Sequence, residues 1–374
     1  MTWIAYERRI ARLRSLAEEK GLDGVIVVDE PSVFYFTGYR GAGLLAVTRD
    51  SAYLLVPVLE YLHALHFVEE EGADLEVVVY KPYGLPGRLV VEEAGVRVEE
   101  GRGGDVAARL VGASCGLVGG SRQFWERLAS ICKQLSDLSR DVSVMRMRKE
   151  PWELERIEAA TRIAEEALRA AISMLDYGVS EAEVAGEILR SILADGGEGP
   201  SFSPIVAFGE NTVYPHAAPS TSRVLTRPTP VLIDLGAVYK GYCSDMTRTL
   251  FYNGSPAEFR HVAEAVYEAV SAALDAAKPG AKASEVDAAA RGVLEKYGLA
   301  KYFIHSTGHG VGIEVHEAPR VTFSDGTVLE PGMVITIEPG VYIPGKLGVR
   351  IEELVVITSR GAGKITRFPA WLWQ

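Results

Sequence analysis

The sequence is poor in side-chain amides: two Asn (Asn211, Asn253) and three Gln (Gln123, Gln134, Gln374) occur in 374 residues. Scarce amides beside abundant Glu and Arg mark proteins of hyperthermophiles, so a thermophilic source is expected, although a GC-rich genome also enriches arginine. Cysteine is nearly as scarce. Its three copies, Cys115, Cys132 and Cys243, are scattered without a C-x-x-C spacing. That excludes a disulfide framework and points to reduced thiols in the cytoplasm. Cys243 reads as a small packed side chain. No apolar run reaches the roughly 18 residues of a spanning helix. Glu7, Arg8 and Arg9 stand where a signal peptide needs its apolar core. A basic surplus is missing too. The net charge of −11 argues against nucleic acid or an anionic membrane as partner. Arg102-Gly103-Gly104 and Gly119-Gly120 lack the strand–glycine–helix setting of a phosphate-binding loop and read as loop punctuation.

What is present suits a large soluble core: 48% of residues are hydrophobic and 24% charged, and the length fits two domains. The first part alternates helix-like and strand-like stretches, which indicates an α/β layer. Helices are expected over 3–20, 60–70 and 121–135, strands over 24–28, 75–80 and 142–148, and a hairpin from 44–48 and 53–56. Nothing there clusters as catalytic chemistry, and His63 and His66 read as surface residues. Lys149-Glu150-Pro151 breaks the pattern, and Pro151 suits the first turn of a new helix. The boundary is set there, giving domains of 1–149 and 150–374.

In the second part, helices are expected over 152–175, after a Ser180/Glu183 capping box, over 256–277 and over 284–297. Each helix pair precedes acid-bearing strands, which is a weak internal repeat. Asp234 and Asp245 lie on strand-like runs joined by a short turn. With the turn at Tyr239-Lys240 the two acids face each other across a hairpin, where opposed Cβ atoms lie roughly 4.5–5.5 Å apart. From that hairpin alone, a solvated end and a metal site both stay open. A second hairpin, with a three-residue turn at Pro344-Gly345-Lys346, sets Glu338 opposite Glu352. Between them lies His305-Ser306-Thr307-Gly308-His309-Gly310, running on to His316. That stretch holds three of the seven histidines, among glycines that allow close backbone approach. Four carboxylates and an imidazole suit one or two divalent ions such as Mn, Co, Fe or Zn, and not a thiolate site. His261 has no partner at ligand spacing and reads as structural.

Asp234, Asp245, His309, Glu338 and Glu352, with their flanks, closely resemble the five metal ligands of the pita-bread metallopeptidases, the family of methionine aminopeptidase, aminopeptidase P and prolidase. The Asp-x10-Asp, Gly-His-Gly-Val-Gly, Glu-Pro-Gly and Arg-Ile-Glu signatures are weak singly and very specific together. The resemblance implies an α+β chain: a C-terminal pita-bread fold of two pseudo-symmetric helix-helix-strand halves and a smaller N-terminal α/β creatinase-like domain. That domain helps to dimerise the family's members and walls their active site, so a homodimer is expected. The resemblance further implies two divalent ions, Mn or Co first and Zn or Fe next. Asp245 and Glu352 would bridge them, Asp234 would hold one and His309 the other. Glu338 would be both ligand and proton shuttle. His216 and His316 would act in catalysis and bind substrate, with His305 and Arg350 supporting the ligands from behind. The implied reaction is cleavage of the Xaa-Pro bond, in dipeptides if Arg320 pairs with the substrate carboxylate. A dipeptidase usually carries Trp where Ala318 stands, and its last motif reads Arg-Ile-Glu-Asp where Glu353 follows Glu352. An aminopeptidase P acting on longer peptides is therefore the alternative. A metal-free creatinase-like hydrolase or a non-catalytic binding relative would have lost ligands, and all five are present.

Overall fold

A computed structural model describes residues 3–81, 83 and 95–370. The chain divides into two compact units, Met1–Ser143 and Val144–Gln374.

Among the described residues, the first unit is built on a seven-stranded sheet. Its spatial order is Arg97–Glu100, Glu76–Lys81, Ala52–Pro57, Leu44–Thr48, Gly24–Val27, Ser114–Val118 and Gln134–Asp137. Only Leu44–Thr48 runs against its neighbours. The central strands are continuous apolar runs, as sheets covered on both faces require; Gly24–Val27 is buried throughout. The expected hairpin of residues 44–56 is present.

Several local expectations fail for tertiary reasons. The single helix expected over 121–135 ends at Ala129. Lys133 and Gln134 instead donate their backbone N–H groups to the Ala113 carbonyl, which starts the edge strand Gln134–Asp137. The strand expected over 142–148 is the helix Ser139–Met147. Leu138, Val142 and Met145 are the buried apolar positions, and that spacing belongs to a helix although the short run also alternates. Gly103-Gly104 is not loop punctuation but the first turn of the helix Gly103–Val111. A Cβ on Gly104 would lie 2.6 Å from the Phe124 ring, so the glycine allows two helices to meet closely. His63 and His66 sit on the helix Tyr61–Glu71, each pairing with one glutamate, Glu60 and Glu70.

The second unit carries the helix-helix-strand theme twice. Helix Pro151–Ser173 starts on a capping box between Glu150 and Glu153, with Pro151 in its first turn. Helix Glu181–Ala194 starts on the Ser180/Glu183 box. Their apolar faces, including Ile163, Leu168, Val184 and Ile188, share a core with Val206, Val231, Ile233 and Met246. The sheet beneath orders Met246–Tyr252, Thr229–Leu235 and Ile205–Phe208. The second pair, Ala257–Ala276 and Ala283–Lys296, shares another core with Ile335, Ile337, Val355 and Ile357. That sheet orders Glu317–Val321, Gly308–Gly310, Val334–Ile337, Glu353–Thr358 and Gly361–Lys364. His261 packs at a tilt against Tyr297, 5.5 Å between ring centroids, in line with a structural role.

The Asp234 hairpin differs from expectation in register. Tyr239 pairs with Tyr242 and Val238 with Cys243, so the turn is Lys240-Gly241. Both have left-handed backbones, with φ of 46° and 77°, as a two-residue turn of this hand demands. Asp234 therefore faces Thr247, not Asp245. The slip is two residues, so the period-two alternation keeps both acids on one face as diagonal neighbours. The second hairpin keeps its three-residue turn, with Ile343 opposite Leu347. Each of its long runs is cut in two: Val334–Ile337 and Gly340–Ile343, Leu347–Arg350 and Glu353–Thr358. Glu338 and Glu352 fall at those cuts, where the chain leaves one sheet for another. Because Ile337 pairs with Glu353 and Gly340 with Arg350, the two glutamates stand opposite each other between the sheets.

Candidate metal centre

Three segments of the second unit bring Asp234, Asp245 and His309 to the place where Glu338 and Glu352 leave their sheets. Thr229–Leu235 is buried nearly end to end and carries Asp234 into the interior. Asp245 sits in the gap before Met246–Tyr252. His309 is the middle residue of the short strand Gly308–Gly310. That strand is anchored from behind by the helix Ala283–Lys296. Asp287 accepts the Thr307 hydroxyl at 2.7 Å, and Arg291 donates to the His305 carbonyl at 2.6 Å. The two glycines let it lie against its neighbours. A Cβ on Gly308 would stand 2.0 Å from the Thr336 carbonyl oxygen, and one on Gly310 2.2 Å from that of Ala318. Gly308→Ala is thus expected to destabilise the fold by about 1–3 kcal/mol, the range for overpacking. A denaturant midpoint equal to wild type would contradict the packing described.

Asp245, His309 and Glu352 are buried and offer ligand atoms all within 4.8 Å of one another, the only such group of three among the described residues. Glu338 Oε1 lies 3.3 Å from His309 Nε2, and Asp245 Oδ2 3.6 Å from it. His309 Nδ1 donates to the Gly310 carbonyl at 3.1 Å. That bond fixes the tautomer and leaves the Nε2 lone pair facing the carboxylates. Asp234 is held by Arg350, whose Nη2 donates to Oδ2 at 2.6 Å. Arg350 is itself buried and donates to the Tyr342 hydroxyl at 2.6 Å, to Thr247 Oγ1 at 3.0 Å and to the Pro215 carbonyl at 3.3 Å. His305 Nε2 meets the same Tyr342 hydroxyl at 3.0 Å. Burial, together with the charges of Arg350 and Arg291, lowers the His305 pKa against the pull of Glu338.

The charge state of the cluster follows from crowding. Burial first, and then the charges of Glu352, Asp234 and Glu338, push the Asp245 carboxyl well above its ordinary range. Burial, Glu338 and Asp234 do the same to Glu352. Asp234 is also raised by burial and by Glu338, against the opposing charge of Arg350. Glu338 differs. Burial would raise it too, but the hydrogen bond and charge of His309, with His305 and Arg350 behind, bring it down to about 2. Like charges packed together in a dry site cannot all be kept without a cation among them.

The donor set fits a divalent ion. Asp234 Oδ1 and Glu352 Oε1 are buried and have no hydrogen-bond partner, although the other oxygen of each carboxylate is bonded, to Arg350 and to Thr247 respectively. Such half-satisfied carboxylates are unfavourable unless something positive takes the second oxygen.

The other residues singled out from the sequence lie nearby. The His316 ring stands 4.1 Å from that of His309, centroid to centroid. Burial and then His309 lower the His316 pKa against the pull of Glu338, with Arg320 and His216 adding to the lowering. Arg320 is exposed and pairs directly opposite His309 across the strands, which puts both side chains on one face. His216 is exposed and follows Pro215, whose carbonyl Arg350 holds. Cys243 is buried, its Sγ donates to the Ile313 carbonyl at 3.3 Å, and burial raises its thiol to about 12; it packs and does not react.

Thr247, Tyr342 and Arg248 also serve the cluster, and none of them is among the residues expected from the sequence. Thr247 Oγ1 donates to Glu352 at 2.7 Å and accepts from Arg350. Arg248 is almost fully buried, and its guanidinium donates to the carbonyls of Glu352, Thr247, Phe368 and Pro369. The available signal was alternation: Thr247 lies two positions past Asp245, on the same strand face. Nothing local marks Arg248, whose partners at Glu352, Phe368 and Pro369 are distant in sequence, whereas Tyr342 shares a hairpin with its partner Arg350.

Similarity to known proteins agrees with this geometry. Residues 155–359 match the model of metallopeptidase family M24, and residues 9–148 that of the creatinase/prolidase N-terminal domain. The Xaa-Pro dipeptidase of Pyrococcus furiosus is 37% identical, covering 96% of this chain and 98% of that one. The prolidase structure from Pyrococcus horikoshii superposes with a TM-score of 0.85 at 34% identity, over 98% and 99% of the two chains. An X-Pro aminopeptidase from Thermotoga maritima gives 0.80 at 29%, over 94% and 97%. Two half-satisfied buried carboxylates beside an oriented imidazole, within a fold shared along nearly the whole length, lead to one conclusion: the chain belongs to metallopeptidase family M24 and carries the creatinase/prolidase N-terminal domain.

Proposed function

We propose that the chain hydrolyses the Xaa-Pro bond of dipeptides, using two divalent ions held by Asp234, Asp245, His309, Glu338 and Glu352. The observation that carries the reading is the pair of unpartnered oxygens on Asp234 and Glu352, in a chain whose full-length relatives are named Xaa-Pro dipeptidases. Bound divalent ions lower the pKa of water and polarise a carbonyl oxygen. Manganese or cobalt suits a mixed carboxylate and imidazole set, with zinc or iron next. A homodimer in the cytoplasm of a thermophile belongs to the same proposal.

The chain's own residues supply the rest. Glu338 is the shuttle that moves a proton to the leaving proline nitrogen. Its side chain is 16% exposed, against 7% for Asp245 and 10% for Asp234, so it is the most open to water of the three. Glu338 also keeps its charge at neutral pH and is ready to accept. His216 and His316 orient the peptide and steady developing negative charge on the carbonyl oxygen. His305 and Arg350 hold the cluster in place through Tyr342.

Arg320 sets the length preference. No carboxylate pairs with its guanidinium among the described residues, and it shares a face with His309. A guanidinium meets a carboxylate with two parallel hydrogen bonds. Losing one partner of such a pair costs about 2–5 kcal/mol, so Arg320→Ala is expected to lower kcat/KM on Met-Pro by roughly 30- to several-thousand-fold. Met-Pro-amide has no carboxylate and should barely respond. The second reading, an aminopeptidase acting on longer peptides, is favoured by Ala318 in place of a bulky residue beside Arg320. A wild type that prefers the amide or a longer Xaa-Pro peptide would establish that reading instead.

A further inference from the structure

Glu317, next to His316, is a buried acid that the chemistry above does not use. Its side chain is 5% exposed and is gripped by two cations from the start of the second unit. Arg146 Nη2 donates to Oε1 at 2.5 Å and Lys149 Nζ to Oε2 at 3.2 Å. Arg146 also reaches Glu314 at 2.7 Å, and the Glu314 N–H donates back to Glu317 Oε1 at 3.1 Å. The loop between His309 and His316 is therefore wrapped round one carboxylate. Gly312 permits the wrap, since a Cβ there would stand 2.6 Å from Glu317 Oε2. The far side of the loop is pinned to the acid hairpin, where the Cys243 N–H donates to the Gly312 carbonyl at 2.7 Å. Arg146 and Lys149 are themselves buried. Such a charge cluster adds little stability over an apolar one of the same volume, but it has one satisfied arrangement, and its best-attested use is to fix a register.

We infer that Glu317, clamped by Arg146 and Lys149, is a positioning residue that aims His316 at the substrate beside His309. The assignment rests on the role of His316 in substrate binding proposed above. In this arrangement the chain is tied on both sides of His316, at Glu317 by the two cations and at Gly312 by the Cys243 N–H. The His316 ring is thereby kept at its 4.1 Å spacing from His309. Arg146 reaches the carboxylates of Glu317 and Glu314, and Lys149 that of Glu317; neither pairs with one of the five proposed metal ligands.

Two measurements test this. The first needs no substrate. With only seven histidines in the chain, imidazole signals of protein carrying 13C-labelled histidine, kept diamagnetic with zinc, are assignable by single His→Ala variants. Glu317→Gln is expected to displace or broaden the His316 signal and leave those of His63, His66 and His261 in place. Unchanged signals from all seven would overturn the proposal. The second is a double-mutant cycle on Met-Pro. Glu317→Gln is expected to lower kcat/KM about 10- to 100-fold, the scale of a misplaced group, with metal content unchanged. In a His316→Ala background the same substitution should add less than about threefold, since residues acting as one unit are non-additive. Full multiplicative effects would show that Glu317 does not act through His316. Should Glu317→Gln fail to fold, Arg146→Met, which leaves Lys149 on the carboxylate, is expected to show the same pattern with smaller effects. If wild type cleaves no Xaa-Pro substrate, the proposed function falls, and the imidazole signals still decide the positioning role.

Discussion

Glu338→Gln should lower kcat on an Xaa-Pro dipeptide by at least about 100-fold, the lower end for loss of a general acid–base group. The amide keeps the shape of the carboxylate but cannot accept a proton at neutral pH. It also loses the charge that His309 Nε2, 3.3 Å away, now faces. Two effects therefore combine: the shuttle is lost and one contact of the cluster is weakened. They separate in the pattern of constants. Loss of the shuttle lowers kcat and kcat/KM together, whereas loss of uniform binding raises KM alone. The variant should retain its fold, because Glu338 is the most exposed of the acids compared above. Near-wild-type kcat in steady-state assays would remove Glu338 from the proton path.

The second large effect is expected at Arg350, through stability. Its guanidinium is buried and donates to Asp234, Tyr342, Thr247 and the Pro215 carbonyl. Removing one partner of a buried ion pair destabilises by about 3–5 kcal/mol, because the remaining charge is left uncompensated. In Arg350→Met the uncompensated group is Asp234, which already has one orphaned oxygen and is crowded by Glu338. Metal-free protein should show the full effect in guanidinium unfolding. Metal-loaded protein should show less, because a cation on Asp234 compensates the charge that Arg350 no longer meets. Activity should fall as well, since Pro215 precedes His216. Equal denaturation midpoints for Arg350→Met and wild type, both without metal, would contradict the network.

Much of this site was legible in the sequence, for identifiable reasons. Asp234 and Asp245 stand out because strand periodicity and a short turn confine them to one face, and a two-residue error in register leaves that conclusion intact. A one-residue error would have reversed it. Glu338 and Glu352 stand out because a three-residue turn fixes their pairing. The cuts in the flanking strands were invisible, since an unbroken apolar alternation does not record a change of sheet. The helix Ser139–Met147 reads as a strand in the sequence because residues 142–148, Val-Ser-Val-Met-Arg-Met-Arg, alternate at period two and also match period 3.6. The grip of Arg146 and Lys149 on Glu317 joins residues 168 to 171 apart, and no local pattern encodes a partner at that distance. Arg248 illustrates the same limit: its carbonyl partners at Phe368 and Pro369 exist only once the chain has folded back on itself.

Metal binding by Asp234, Asp245, His309, Glu338 and Glu352 is the central proposal, and one titration addresses it. The protein is stripped with a chelator, its residual metal is counted by mass spectrometry, and manganese or cobalt is returned stepwise while Met-Pro hydrolysis is followed. The expected result is no activity in the stripped protein and full recovery on addition of metal, with two ions bound per chain at the plateau and fewer in Glu352→Ala. Full-rate hydrolysis by protein verified to hold no metal would contradict the account.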